Sequence, residues 1–109
     1  KDEGCVEMKQ CKASTESPFV IKHNGIYYMF YTNCEKMGTY YATSTNPITG
    51  WVEQGEVIPN TSCSEVFEFN GKWYISVVDH LGGGMHFLGF HEFTWNPDGS
   101  VSASPERIM

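Results

Sequence analysis

The chain is short of positive charge. Seven Lys and Arg stand against thirteen Asp and Glu, a formal net charge of −6 with the four His neutral. Nucleic-acid binding rests on Lys and Arg neutralising phosphates, so this balance argues against it. It argues equally against an anionic membrane surface. Long apolar runs are also missing, and none approaches the ~20 residues a membrane-spanning helix needs. Helical periodicity and low-complexity segments are absent. The four cysteines, Cys5, Cys11, Cys34 and Cys63, lack the Cys-x-x-Cys spacing of a metal site. Cys5 and Cys11 suit a pairing across a hairpin in an oxidising compartment, and free or buried thiols are an equal reading. Gly82-Gly83-Gly84 lacks the Lys and the following helix of a phosphate cradle. No Ser–His–Asp order or Cys–His pair organises a nucleophile. Neither an initiator Met nor a signal-peptide pattern opens the chain, which starts Lys1-Asp-Glu-Gly4. That start reads as a boundary within a longer protein.

What is present is a repeat with a spacing of 46 residues. The first copy runs Glu16-Ser-Pro-Phe-Val-Ile-Lys-His-Asn-Gly-Ile-Tyr-Tyr-Met-Phe-Tyr31. The second runs Ser62-Cys-Ser-Glu-Val-Phe-Glu-Phe-Asn-Gly-Lys-Trp-Tyr-Ile-Ser-Val77. Asn24-Gly25 falls on Asn70-Gly71, and Tyr28 on Tyr74. The phase continues with Gly38-Thr-Tyr-Tyr41 on Gly84-Met-His-Phe87. A period in this range with all-β content marks propeller blades. Two blades cannot close a propeller, so the chain is expected to be part of something larger.

Each repeat divides into four short strands. The first gives Pro18–Lys22, Ile26–Thr32, Thr39–Ser44 and Trp51–Ile58. The second gives Glu65–Phe69, Lys72–Val78, Met85–Glu92 and Val101–Ser104. Asn-Gly between the first two strands of each repeat signals a two-residue hairpin. Asn46-Pro47 and Pro97-Asp98-Gly99 supply further turns. Ile26–Tyr31 is apolar or aromatic throughout, so both its faces need cover, and stacked blades provide it. The fold class is therefore all-β, with two four-stranded antiparallel blades of a propeller. Residues 16–60 form the first blade and 61–109 the second. Residues 1–15 are the end of a preceding blade or a linker.

In a blade the first strand lies innermost and the second returns beside it. One end of the axial channel therefore gathers Glu16, Ser62 and Glu65 with the loops Asn33–Met37 and Asp79–Gly84. Glu16 stands just before an inner strand, where burial would raise a carboxylic acid's pKa and suit it to general-acid work. By composition alone it reads as a solvated loop residue, since Glu is mostly exposed. Asp79 and His80 are candidate ligand contacts, with His80 also able to hold a central ion or water. Asn33 and Glu65 are further candidate contacts. Loop hydrogen bonding or simple exposure is the structural alternative for all four. His86 and His91 read as blade surface or satisfied core. Trp51, Trp73 and Trp95 are candidates for stacking on a ligand, though Trp in or beside blade strands more commonly packs between blades.

The run Glu16-Ser-Pro18 through Asn24-Gly25-Ile-Tyr27-Tyr28-Met-Phe-Tyr31-Thr32 resembles the third blade of the five-bladed propeller glycosidases. These are glycoside hydrolase family 43 and its β-fructosidase relatives such as family 32. Tyr41-Ala-Thr-Ser-Thr-Asn-Pro-Ile-Thr-Gly-Trp51 looks like their Ala-x-Ser…Gly-Pro-Trp segment. The resemblance covers about Glu16–Val78, and Met85–Val101 more weakly. It implies a hydrolase acting on arabinose-, xylose- or fructose-containing glycans, with Glu16 as the acid that protonates the leaving oxygen. A base or nucleophile Asp and an Asp that tunes the acid would lie on earlier blades. Hydrolysis needs a pair of carboxylates, so this stretch alone is expected to be inactive. Family 43 implies inversion and family 32 retention. Ser62 stands where many family 43 members carry His. No cofactor is expected, and the resemblance leaves room for a central calcium ion. The partners expected are a carbohydrate and either the remaining blades or other copies of the chain, with no nucleic acid and no membrane. The setting expected is secreted or periplasmic. Rival readings are a carbohydrate-binding propeller without catalysis and an assembly module in which several copies complete a ring.

Overall fold

Two Asn-Gly pairs set the register of the fold. Asn24 (φ 52°) and Gly25 (φ 82°) form one hairpin turn, and Asn70 (φ 53°) and Gly71 (φ 79°) form the other. Both central residues of such a turn need positive φ, which Asn tolerates and Gly adopts freely. The computed structural model describes residues 15–80 and 86–108, with the backbone alone at Thr15, Glu16 and His86. Cys5, Cys11 and the segment expected to be a preceding strand or linker lie outside the described residues.

The first sheet comprises β1 (Thr15–His23), β2 (Ile26–Asn33), β3 (Gly38–Ser44) and β4 (Val52–Pro59). The second comprises β5 (Thr61–Phe69), β6 (Lys72–His80), β7 (His86–Trp95) and β8 (Val101–Ala103). Within each sheet the strands follow chain order, and every pairing is antiparallel. No element among the described residues is a helix, so none is long and apolar enough to cross a membrane.

The inner strands start earlier than the pattern of side chains predicts. A β-bulge interrupts β1 between Glu16 and Phe19, and its repeat mate interrupts β5 between Ser62 and Glu65. Ser17 (φ 55°) and Cys63 (φ 53°) take the left-handed conformation there. They stand 46 residues apart, with Ser17 Oγ 3.4 Å from Cys63 Sγ. Pro18 cannot donate to a ladder and sits in the bulge, the position where a strand tolerates it. Pairing resumes on the far side, so Thr15 meets Asn33 and Thr61 meets Asp79.

The core lies between the sheets. Phe30, Ile75 and Val77 are fully buried there, joined by Tyr28, Tyr41, Ile58, Val66, Phe93 and Val101. Met29, Tyr31, Ala42 and Trp51 fill a second layer on the other face of the first sheet. This explains why β2 is apolar at successive positions: Tyr28 and Phe30 enter one layer, Met29 and Tyr31 the other. Among the described residues, β6 is covered on one face only. Its open side, with Phe67, Phe69, Tyr74 and Phe90, forms an apolar groove of about 280 Å³.

Polar bonds also tie the sheets together. Thr39 and Thr61 share a buried hydroxyl pair at 2.7 Å, and the Cys63 N–H donates to Thr32 Oγ1 at 3.0 Å. The Tyr28 hydroxyl donates to the Gly99 carbonyl at 2.7 Å. Tyr41 Oη accepts from the Val101 N–H at 3.4 Å. Burial pushes both phenols above their ordinary value of 10.0, with the Asp98 charge adding to the rise. A folded-state value above the unfolded one means stability that is present below pH 10 and lost as pH climbs further. We therefore expect the chain to unfold in alkali as Tyr28 and Tyr41 ionise. Their phenolate absorbance near 295 nm should appear together with loss of the far-UV dichroism. Ionisation of both below pH 10 with the strands intact would contradict this.

Candidate active site

At one end of the sheets, the start of each inner strand meets the end of its neighbour. Glu16 pairs through its backbone with Thr32. Thr32, buried, in turn accepts the N–H of Cys63 through its hydroxyl. Glu16 and Ser62 occupy matching positions before their bulges. The backbone of Glu16 thus stands at the entry to the inner strand.

The other expected contacts separate. Asp79 and His80 are neighbours on β6, so their side chains leave opposite faces of the sheet. His80 Nε2 lies 2.8 Å from Ser62 Oγ at the end that holds Glu16. Asp79 turns toward the first sheet and is buried, with its Oδ2 3.2 Å from Nε2 of buried His91. His91 Nδ1 lies 2.9 Å from the Ser104 carbonyl, so the imidazole is satisfied at both nitrogens. Gly89 leaves room for this pair, since a Cβ there would lie 1.9 Å from Asp79 Oδ2. Asp79 and His91 thus form an internal polar strut, as the satisfied-core reading of His91 expects.

Asn33 is buried and does local work. Its Oδ1 accepts the N–H groups of Glu35 (3.1 Å) and Lys36 (3.0 Å), which shapes the turn from β2 to β3. An Asn side chain bonding two and three residues ahead is the usual device for such a turn. The turn is then clamped to the second sheet, because the Asn60 N–H donates to the Met37 carbonyl at 2.9 Å. The Asn60 carbonyl accepts from the His80 N–H at 2.9 Å. Glu65 is exposed beyond the bulge, on the rim of a small cavity of about 160 Å³ with Ser17, Cys63 and Ser64. The hydroxyl of Ser64 is buried there without a hydrogen-bond partner.

Thr32 and Thr61 are the residues of this end that motif reading passes over, whereas Ser62 is anticipated by the repeat, 46 residues after Glu16. Among the described residues, no three His, Cys, Asp or Glu side chains converge as a metal site would require. His80 instead faces Ser62. These residues therefore do not build a calcium centre by themselves, and no chemistry here is routed through one.

No family model and no curated protein sequence matches the chain. Solved structures do. A GH43_1 enzyme from Xanthomonas citri superposes with a TM-score of 0.70 and 26% identity, over 81% of this chain and 30% of the other. A GH43 β-xylosidase/α-arabinofuranosidase from a compost microbial metagenome, solved with xylotriose, gives 0.68 and 31%, over 80% and 30%. An α-L-arabinanase of Cellvibrio cellulosa gives 0.66 at 14% identity, over 86% and 38%, a likeness of fold alone. The chain thus spans about 30% of the length of the first two structures. In fold, and at this level of sequence identity, it matches two successive blades of the five-bladed propellers of glycoside hydrolase family 43.

Proposed function

We propose that these blades belong to a longer secreted or periplasmic glycoside hydrolase and supply its general acid, Glu16. The observation that carries this reading is the position of the Glu16-Ser-Pro18 motif. It opens an inner strand, with its backbone paired to Thr32, at the end where Ser62 and His80 meet. An acid there would protonate the departing glycosidic oxygen while a carboxylate from another blade activates water on the opposite side of the sugar. That geometry gives inversion. Ser62 and His80 present a hydroxyl and an imidazole to sugar hydroxyls, and Glu65 stands on the rim. Asn33 and Asp79 act indirectly, by fixing the turn and the sheet spacing.

The substrates that fit are xylose- or arabinose-containing glycans. Support comes from the similar enzymes, one of them a xylosidase/arabinofuranosidase solved with xylotriose, another complexed with xylose. A fructose-containing substrate has no such support. The remaining blades of the same polypeptide are the partners that would cover the open face of β6.

The test is hydrolysis of aryl β-xylopyranosides and aryl α-arabinofuranosides by the longer protein and by the 109-residue chain. The longer protein should cleave at least one of them, and the chain alone neither, because it lacks the second carboxylate. No hydrolysis by the longer protein would remove the enzymatic reading and favour the carbohydrate-binding one.

A further inference from the structure

The two sheets are joined through a single residue, Asn60, between Pro59 at the end of β4 and Thr61 at the start of β5. Its backbone is held on both sides. The N–H donates to the Met37 carbonyl and the carbonyl accepts the His80 N–H, both at 2.9 Å. Next to it the buried Thr61 hydroxyl donates to the Ile58 carbonyl at 3.0 Å and pairs with Thr39 at 2.7 Å. Asn60 takes the left-handed conformation, with φ 58°. Its side chain is exposed and takes part in neither backbone bond. The link is thus rigid in its main chain, with the Asn60 amide on the surface.

The same residue opens Asn60-Thr61-Ser62, which is the only place in the chain where Asn precedes a Ser or Thr two residues on with no Pro between. Asn46 and Asn96 are each followed by Pro, and Asn24, Asn33 and Asn70 lack the hydroxyl. This triplet is the acceptor for an N-linked oligosaccharide and belongs on a surface turn. The repeat sharpens the signal. The matching positions 46 residues earlier read Ser14-Thr15-Glu16, so Thr is kept and the two residues that make the acceptor are those that differ. The left-handed turn alone does not call for Asn, since Gly meets that demand without steric cost. Nor does the turn call for a hydroxyl at Ser62.

We propose that Asn60 is a modification site that carries an N-linked oligosaccharide at the junction of the two blades. The donor is an oligosaccharide on a polyprenyl diphosphate carrier. A bond forms from Asn60 Nδ2 to the anomeric carbon of the first sugar, and the bond from that carbon to the diphosphate oxygen breaks. The amide loses one proton, and the polyprenyl diphosphate leaves with the bonding electrons. In the folded chain Ser62 Oγ lies 2.8 Å from His80 Nε2. That contact is no obstacle, because transfer acts on the extended chain before it folds. The fold has only to accommodate the product, and the exposed Asn60 side chain does so. The inference rests on the secreted setting proposed above and not on Glu16 being an acid.

The test is peptide mass spectrometry of the longer protein from the cells that make it, taken from both the medium and the cell pellet. Treatment with peptide N-glycosidase in heavy-oxygen water should leave a labelled Asp at position 60 in most copies. Asn60→Gly keeps the left-handed turn and should abolish the label. Ser62→Ala leaves Asn60 in place and should abolish it too, whereas Ser62→Thr should retain it. Reading the pellet as well as the medium lets a variant that folds poorly still report. Protein in the medium with a bare Asn60 would overturn the proposal and leave the secreted setting standing. Protein confined to the pellet with a bare Asn60 would overturn both. A label that survives Ser62→Ala would also overturn it, because attachment would then not depend on the acceptor triplet. Loss of hydrolysis in any variant bears on the proposed activity and not on this site.

Discussion

Replacing Glu16 by Gln in the longer enzyme is expected to slow hydrolysis of glycosides with poor leaving groups by about 10²–10⁴-fold. That range corresponds to roughly 2.7–5.4 kcal/mol of lost transition-state stabilisation. The argument is one of chemistry. An alkoxide departs slowly unless it receives a proton as the bond breaks, and a neutral amide cannot give one. A dinitrophenolate departs unaided, so the same variant should hydrolyse the dinitrophenyl glycoside at a rate much closer to that of the parent. Gln has nearly the shape of Glu, so KM should change little for either substrate. The measurement is kcat for the two substrates side by side. A proton donor produces unequal losses. A residue that merely shapes the entry to β1, where Glu16 pairs with Thr32, would depress both rates alike, and that result would remove the acid role.

The fold was legible because its signals are local. Asn24-Gly25 and Asn70-Gly71 each demand a hairpin, and their shared spacing of 46 residues carries one sheet onto the next. The strand entries were less legible. Pro18 reads as the start of β1 because it cannot donate to a ladder, yet the pairing continues past it to Thr15. The bulge that permits this depends on left-handed backbone at Ser17 and Cys63, residue types that do not announce it. The site is harder still. Asp79 and His80 look like one polar pair in the sequence, but alternation along β6 sends them to opposite faces. What decides Asp79 is His91, twelve residues away on the next strand. Asn33 offers a free amide on paper, and the backbone of its own turn takes its oxygen. Tertiary partners of this kind lie beyond any motif. The repeat held one clue, since it aligns Ser62 with Glu16.

Phe30→Ala should cost the chain about 3–5 kcal/mol, out of a total that for a domain of this size is roughly 5–15 kcal/mol. Phe30 is fully buried on the face of β2 that meets the second sheet. Its ring lies 5.6 Å from Phe93 and 5.9 Å from Tyr41, centroid to centroid. Truncation therefore opens a cavity where the sheets join, with rigid strands on either side that cannot close it. Val20→Ala is the control. Val20 is 46% exposed on the inner strand, and surface changes of this kind stay within about 0.5 kcal/mol. The readout is the urea midpoint at constant slope, followed by tyrosine and tryptophan fluorescence. The contrast between the two variants tests the placement of the core itself. If the sheets were separate units joined only by chain, loss of Phe30 would weaken the first and leave the second, and unfolding would split into two transitions. A single transition shifted as a whole is the expected result, because Tyr28, Phe30 and Tyr41 share one buried layer with Val66, Ile75 and Val77.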